Sequence, residues 1–123
     1  METQATSGVR AMSKAVVLIV EDDSDSREAI RDVLIEEGFE VREAKNGLEA
    51  LESIGEQTPD VVLLDLVMPV MKGEPVIQIL RAARRSIRIV VMTASKIAAV
   101  AGSVQLTKPF SLDDLLWAVE GAA

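Results

Sequence analysis

The chain predicts a doubly wound α/β fold: a five-stranded parallel sheet of order 2-1-3-4-5, with helices on both faces. Three observations carry this. Strand-like and helix-like patterns alternate along 123 residues. The central strand candidates are apolar throughout, as expected where a parallel sheet is covered on both faces. The segments between them are short and helical, bounded by capping residues and glycines, and suit right-handed crossovers.

"AVVLIV" (15–20) is the first such strand. "SDSREAIRDVLIEEG" follows as a helix that Ser24 or Asp25 can cap. Ala29, Ile30, Val33 and Leu34 form its inward face, and Gly38 stops it. "FEVREA" (39–44) alternates as an edge strand should. "NGLEALESIG" reads as a short helix with Asn46 as N-cap and Glu49 completing a capping box. Leu48, Leu51 and Ile54 face inward and Gly55 ends it. "DVVLLD" (60–65) is the third strand, and its last residue is an acid. Pro75 suits the first turn of the next helix, "VIQILRAA". "IRIVVMT" (87–93) is the fourth strand and "SVQLTKP" (103–109) the fifth with its exit. Only nine residues, Ala94 to Gly102, join them. A parallel crossover ordinarily takes a dozen or more, so the helix there is expected to be stunted. "SLDDLLWAVE" is the last helix, capped by Ser111, with Leu112, Leu115, Leu116 and Val119 inward and Trp117 partly buried.

Composition narrows the chemistry. Hydrophobic residues make up 49% and charged residues 27%, the balance of a soluble globular domain. No apolar run is long enough to span a bilayer, and the N-terminus lacks the apolar core of a secretory signal. A cytoplasmic protein with no membrane partner is expected. There is no cysteine and no histidine. Disulfides, thiolate or imidazole metal ligands, and His-based catalysis are excluded. The net charge of −7 argues against direct nucleic-acid binding. The one basic cluster, Arg81, Arg84, Arg85 and Arg88, reads first as a solvated helix end favoured by the helix dipole, and second as a patch for docking a partner.

Sheets of this order place ligands at the carboxyl ends of their strands. Glu21, Asp22 and Asp23 end the first strand, Asp65 the third, Thr93 the fourth, and Lys108–Pro109 the fifth. These ends converge on one rim. Two like charges about 4 Å apart repel by roughly 4 kcal/mol at an effective dielectric of about 20. A bound cation relieves that, and all-oxygen ligands favour a hard ion, Mg²⁺ above others. Asp23 reads first as a helix-start acid, with a metal contact as the alternative. A cation, a carboxylate, a hydroxyl and an ammonium together are what phosphoryl transfer requires.

"VLIVEDD", "LLDLVMPVMKG", "VVMTA" and "TKPF", in this order at strand ends, resemble the receiver domain of two-component response regulators, of the stand-alone chemotaxis type. The resemblance covers about residues 14 to 121 and implies a flavodoxin-like fold. It implies a phosphoryl group taken from a sensor histidine kinase or phosphotransfer protein onto Asp65, in a Mg²⁺-dependent reaction, and passed to a downstream protein as a conformational change. It further implies Glu21, Asp22, Asp65 and the backbone carbonyl of Val67 as metal ligands. Thr93 becomes the switch hydroxyl, Lys108 the phosphate-binding cation, and Lys108–Pro109 a cis peptide. On this reading residues 1–13 are a flexible tail and 14–123 the receiver. No output domain follows, and the role is signalling rather than turnover of a separate substrate.

The chain departs from the family pattern in three places. Gln105 stands where an aromatic switch residue is usual. Only fourteen residues separate Thr93 from Lys108. Val67 is apolar where a polar side chain can place an attacking water, which favours a long-lived phosphoryl group. The first two leave open a phosphorylation-independent interaction module of the same fold; the shortened signalling face favours a monomer. A flavodoxin-type cofactor binder would need a Ser/Thr/Gly-rich loop where "EDDSDS" stands. A haloacid-dehalogenase-type phosphatase would need a second Asp at position 67.

Overall fold

Apolar β-branched runs that bury both faces form the centre of the molecule. The computed structural model describes residues 15–66, 77, 78, 80–82, 86–94 and 103–121. Its elements are β1 (Val16–Val20), α1 (Ser24–Glu36), β2 (Glu40–Ala44), α2 (Gly47–Glu56) and β3 (Val61–Asp65), then helical residues 77, 78 and 80–82 as α3. β4 (Arg88–Thr93), β5 (Val104–Thr107) and α4 (Leu112–Glu120) complete them. The N-terminal tail, Val67, Pro75, Arg84, Arg85 and the shortened helix expected before β5 fall outside the described residues.

All strands are parallel, in the order β2-β1-β3-β4-β5. Alternate side chains point to opposite faces of a strand, and two cores result. Leu18, Val20, Val62, Leu64 and Val91 pack with Ala50 and Ile54 of α2 and with Ile77 and Leu80 of α3. Val17, Ile19, Leu63, Val90 and Met92 pack with Ile30 and Leu34 of α1 and with Leu115, Ala118 and Val119 of α4. Each such Leu, Ile or Val contributes roughly 1.5–3 kcal/mol by leaving water. Asp60 aligns the opposite ends of the strands. Its carboxylate accepts from the Val16 N–H at 2.8 Å, and its carbonyl accepts from the Arg88 N–H at 2.9 Å.

Local chemistry explains where sequence periodicity misjudged details. The N-cap of α1 is Asp23, not Ser24 or Asp25: residue 23 is still extended, and its carboxylate accepts from the Ser26 N–H at 2.9 Å. Ala29 is exposed, so the buried stripe narrows to Ile30 and Leu34 with Val33 beside them. Asn46 caps α2 as expected, but Glu49 accepts from the Lys45 N–H rather than closing a box on Asn46. Gly55 does not end α2, which runs to Glu56. Leu48 is 51% exposed, because the inward stripe is built on Ala50 and Ile54 instead. In α4, Ser111 and Asp114 form the reciprocal capping box. Leu112 is about half exposed, and Trp117 is 56% exposed rather than partly buried. Trp117 lies two residues from both Leu115 and Val119, which turns it to the opposite side of the helix.

Arg88 is no part of a solvated helix end. It opens β4, and its Nε donates to the Ala118 carbonyl at 2.7 Å, tying α4 to the sheet. Gly121 follows with φ 85°, in the left-handed region that favours glycine.

Candidate functional site

Glu21 continues β1 for one residue, its N–H donating to the Ala44 carbonyl of β2 at 3.1 Å. That pairing carries the side chain inside, where it is 1% exposed. An ionised carboxylate tolerates such burial only when it is paired and hydrogen-bonded. Lys108 Nζ donates to its Oε1 at 2.9 Å, and the Asp23 N–H reaches its Oε2 at 3.3 Å. Asp22, the next residue, is exposed.

Asp65 ends β3 beside Met92 of β4, with its side chain mostly buried. Its Oδ2 lies 3.6 Å from Lys108 Nζ. Thr93 ends β4 and is buried; its carbonyl accepts from the Lys108 N–H at 2.7 Å. The Lys108–Pro109 peptide is cis. One oxygen each from Glu21, Asp22 and Asp65 lie within 4.8 Å of one another. The residues predicted from strand ends are therefore brought to one rim, with Asp23 left to cap α1. Gln105 stands apart, half-buried on β5 opposite Val91.

The electrostatics follow from this packing. Burial alone would lower the pKa of Lys108, but the Glu21 hydrogen bond and the charges of Asp65 and Glu21 outweigh it, and the pKa is raised. The ammonium stays charged beside two carboxylates. The Asp23 pKa is lowered, chiefly by its hydrogen bonds with the Ser26 side chain and backbone.

Arg27 carries no motif-level signal. Its Nη1 donates to the Glu21 carbonyl at 2.8 Å and its Nε to Glu43 Oε1 at 3.1 Å. A cation in the first turn of a helix runs against the helix dipole, and that was the one sign in the sequence that Arg27 has another partner.

Three acids and a lysine at the ends of parallel strands decide the family once the whole chain is compared. Residues 17–120 match the model of the response regulator receiver domain. The chain belongs to this family. Among curated relatives, it is 32% identical over 116 residues to sporulation initiation phosphotransferase F of Bacillus subtilis, covering 89% of this chain and 94% of that one. It is 36% identical over 107 residues to the response regulator MprA of a Mycobacterium species, covering 81% of this chain but only 46% of MprA. Among solved structures, the chemotaxis response regulator CheY4 of Vibrio cholerae superposes with a TM-score of 0.78 at 30% identity, over 85% of this chain and 94% of that one. No helix among the described residues of this receiver is long and apolar enough to cross a membrane.

Proposed function

We propose that this receiver accepts a phosphoryl group on Asp65 from a phosphohistidine of a sensor kinase or phosphotransfer protein. The observation that carries this is the placing of Asp65 between a partly buried ammonium donor and two further carboxylates, at a rim with no histidine of its own. An Asp65 oxygen forms the new P–O bond, the P–N bond breaks, and the electron pair returns to the donor imidazole. Lys108, already 3.6 Å from Asp65, follows the charge onto a phosphoryl oxygen. The Thr93 hydroxyl, one strand over, donates to another.

The donor set fits Mg²⁺. All three acids are hard oxygen ligands, they approach closely enough to share an ion, and an ammonium already occupies the same anionic corner. Glu21, Asp22 and Asp65 would hold the ion, with the Val67 carbonyl as a fourth protein ligand. Bound there, Mg²⁺ would neutralise charge on the transferring group. Glu21 and Asp23 keep the loop shaped for it through the Asp23 N–H.

Residues 14–123 form the functional unit on this reading. The protein is a cytoplasmic signalling element, not an enzyme with a separate substrate. It catalyses only its own phosphorylation and dephosphorylation, and it works as a monomer. Its downstream partner is a protein rather than nucleic acid. Gln105 gives no aromatic ring to bury, so the signal leaves through the loops after β3 and β4.

Acetyl phosphate with Mg²⁺, followed by intact mass at neutral pH, tests the reading. A single phosphoryl adduct is expected in the wild type and none in Asp65→Asn. An equal adduct in the variant would refute the assignment. A wild type that takes no phosphoryl group from acetyl phosphate or from any histidine donor would favour the phosphorylation-independent interaction module.

A further inference from the structure

The geometry points to Arg27 as a positioning residue for the cation site: its guanidinium aims Asp22 by clamping the Glu21 carbonyl to β2. This role rests on the Mg²⁺ part of the reading above. Glu21 and Asp22 are adjacent in sequence but differ sharply in surroundings, one buried and one exposed. To place both carboxylates at one ion, the backbone between them must be held. The Glu21 side chain and N–H are already committed to Lys108, Asp23 and Ala44. The remaining group is the Glu21 carbonyl, which accepts from Arg27 Nη1 at 2.8 Å.

The peptide unit is planar. Fixing that oxygen therefore orients the peptide plane and places the Asp22 nitrogen and Cα, the base from which the Asp22 side chain reaches the site. Arg27 can hold the oxygen firmly because it is itself anchored. Only 15% of its side chain is exposed, and its Nε donates to Glu43 of β2 at 3.1 Å. Glu43 is held in turn by Arg31 Nη1 at 3.3 Å. The planar guanidinium offers two donors at fixed spacing to two acceptors on neighbouring strands. A lysine ammonium on a flexible stem cannot reproduce that fork.

Charge alone predicts the opposite outcome. Arg27 is a cation near a cation site, so removing it should make the acids attract Mg²⁺ more strongly. Positioning predicts weaker binding. Residues that orient metal ligands through hydrogen bonds typically cost about 10–100-fold in affinity when removed.

Isothermal titration of the metal-free full chain with MgCl₂ at fixed ionic strength separates the two. Arg27→Ala is expected to bind at least about tenfold more weakly, against the Coulombic direction. Arg27→Lys, which leaves net charge unchanged, is expected to bind weakly as well. It also serves as the decisive variant should Arg27→Ala fail to fold. Urea midpoints in EDTA confirm that the proteins titrated are folded. Unchanged or tighter Mg²⁺ binding in folded Arg27→Lys overturns the positioning role. A wild type that binds no Mg²⁺ overturns the cation-site reading itself, a result distinct from the variants alone keeping wild-type affinity.

Discussion

Replacing Lys108 by methionine keeps the aliphatic stem and removes the ammonium that neutralises the acidic rim. The cost is set by what is left behind. Glu21 is 1% exposed, so its carboxylate has little water to turn to, while the Lys108 side chain is 31% exposed and partly screened. Breaking a fully buried ion pair costs about 3–5 kcal/mol, whereas an exposed pair is worth about 0–1 kcal/mol. A buried acid facing a half-wet ammonium lies between them, at about 2 kcal/mol in the absence of divalent ions. For a domain of this size that lowers the melting temperature by roughly 8 °C. The assay is urea and thermal denaturation of both proteins in EDTA, then with MgCl₂. Mg²⁺ stabilises whichever folded state binds it, by about 2.7 kcal/mol at a hundredfold excess over Kd. The variant should gain more than the wild type, because the ion no longer shares Glu21 and Asp65 with an ammonium. The alkaline limb offers a second check. The pKa of folded Lys108 is raised, so its stabilisation is fully present below the unfolded value of about 10.4. It is lost as pH rises through the folded value, and the gap between wild type and variant should close there. Equal stability of the two proteins in EDTA at neutral pH, or an equal gain from Mg²⁺, would refute the reasoning.

Asn46→Ala removes the acceptor for the Glu49 N–H at 2.9 Å and should destabilise by about 1 kcal/mol, with Asn46→Ser restoring most of it in the same urea titration. Arg88→Ala strips a charged donor from the Ala118 carbonyl and should lose about 1.5–3 kcal/mol; hydrogen exchange should quicken first in α4, and uniform exchange across the sheet would contradict the tie. Leu64→Ala, at a fully buried position, should cost about 2–5 kcal/mol. Leu48→Ala, which sequence periodicity placed inside, should stay within about 0.5 kcal/mol, and a large loss there would mean that the face of α2 is misassigned.

The strands, their parallel order and the residues at their carboxyl ends were legible in the sequence alone. Short apolar runs such as "VVLL", rich in β-branched residues and alternating with capped helices, read as strands covered on both sides, and Glu21, Asp65, Thr93 and Lys108 sit where the strands stop. Caps were less legible. Ser24, Asp25 and Asp23 all have the right chemistry, and only the path of the chain out of β1 selects Asp23. The faces of short helices were less legible still. Ala29, Leu48 and Leu112 fit an inward stripe on periodicity, yet helices of about two and a half to three and a half turns leave the stripe free to rotate until the sheet selects Ile30, Ala50, Leu115 and Val119. Contacts of arginine side chains with backbone carbonyls were the least legible. The place of Arg27 against the helix dipole says only that it needs another partner, not that the partner is the Glu21 carbonyl, and no spacing marks Arg88 for Ala118. Hydrophobic pattern is a property of each segment and can be read locally. The partner of a long polar side chain is a property of how segments pack, and only the tertiary structure decides it.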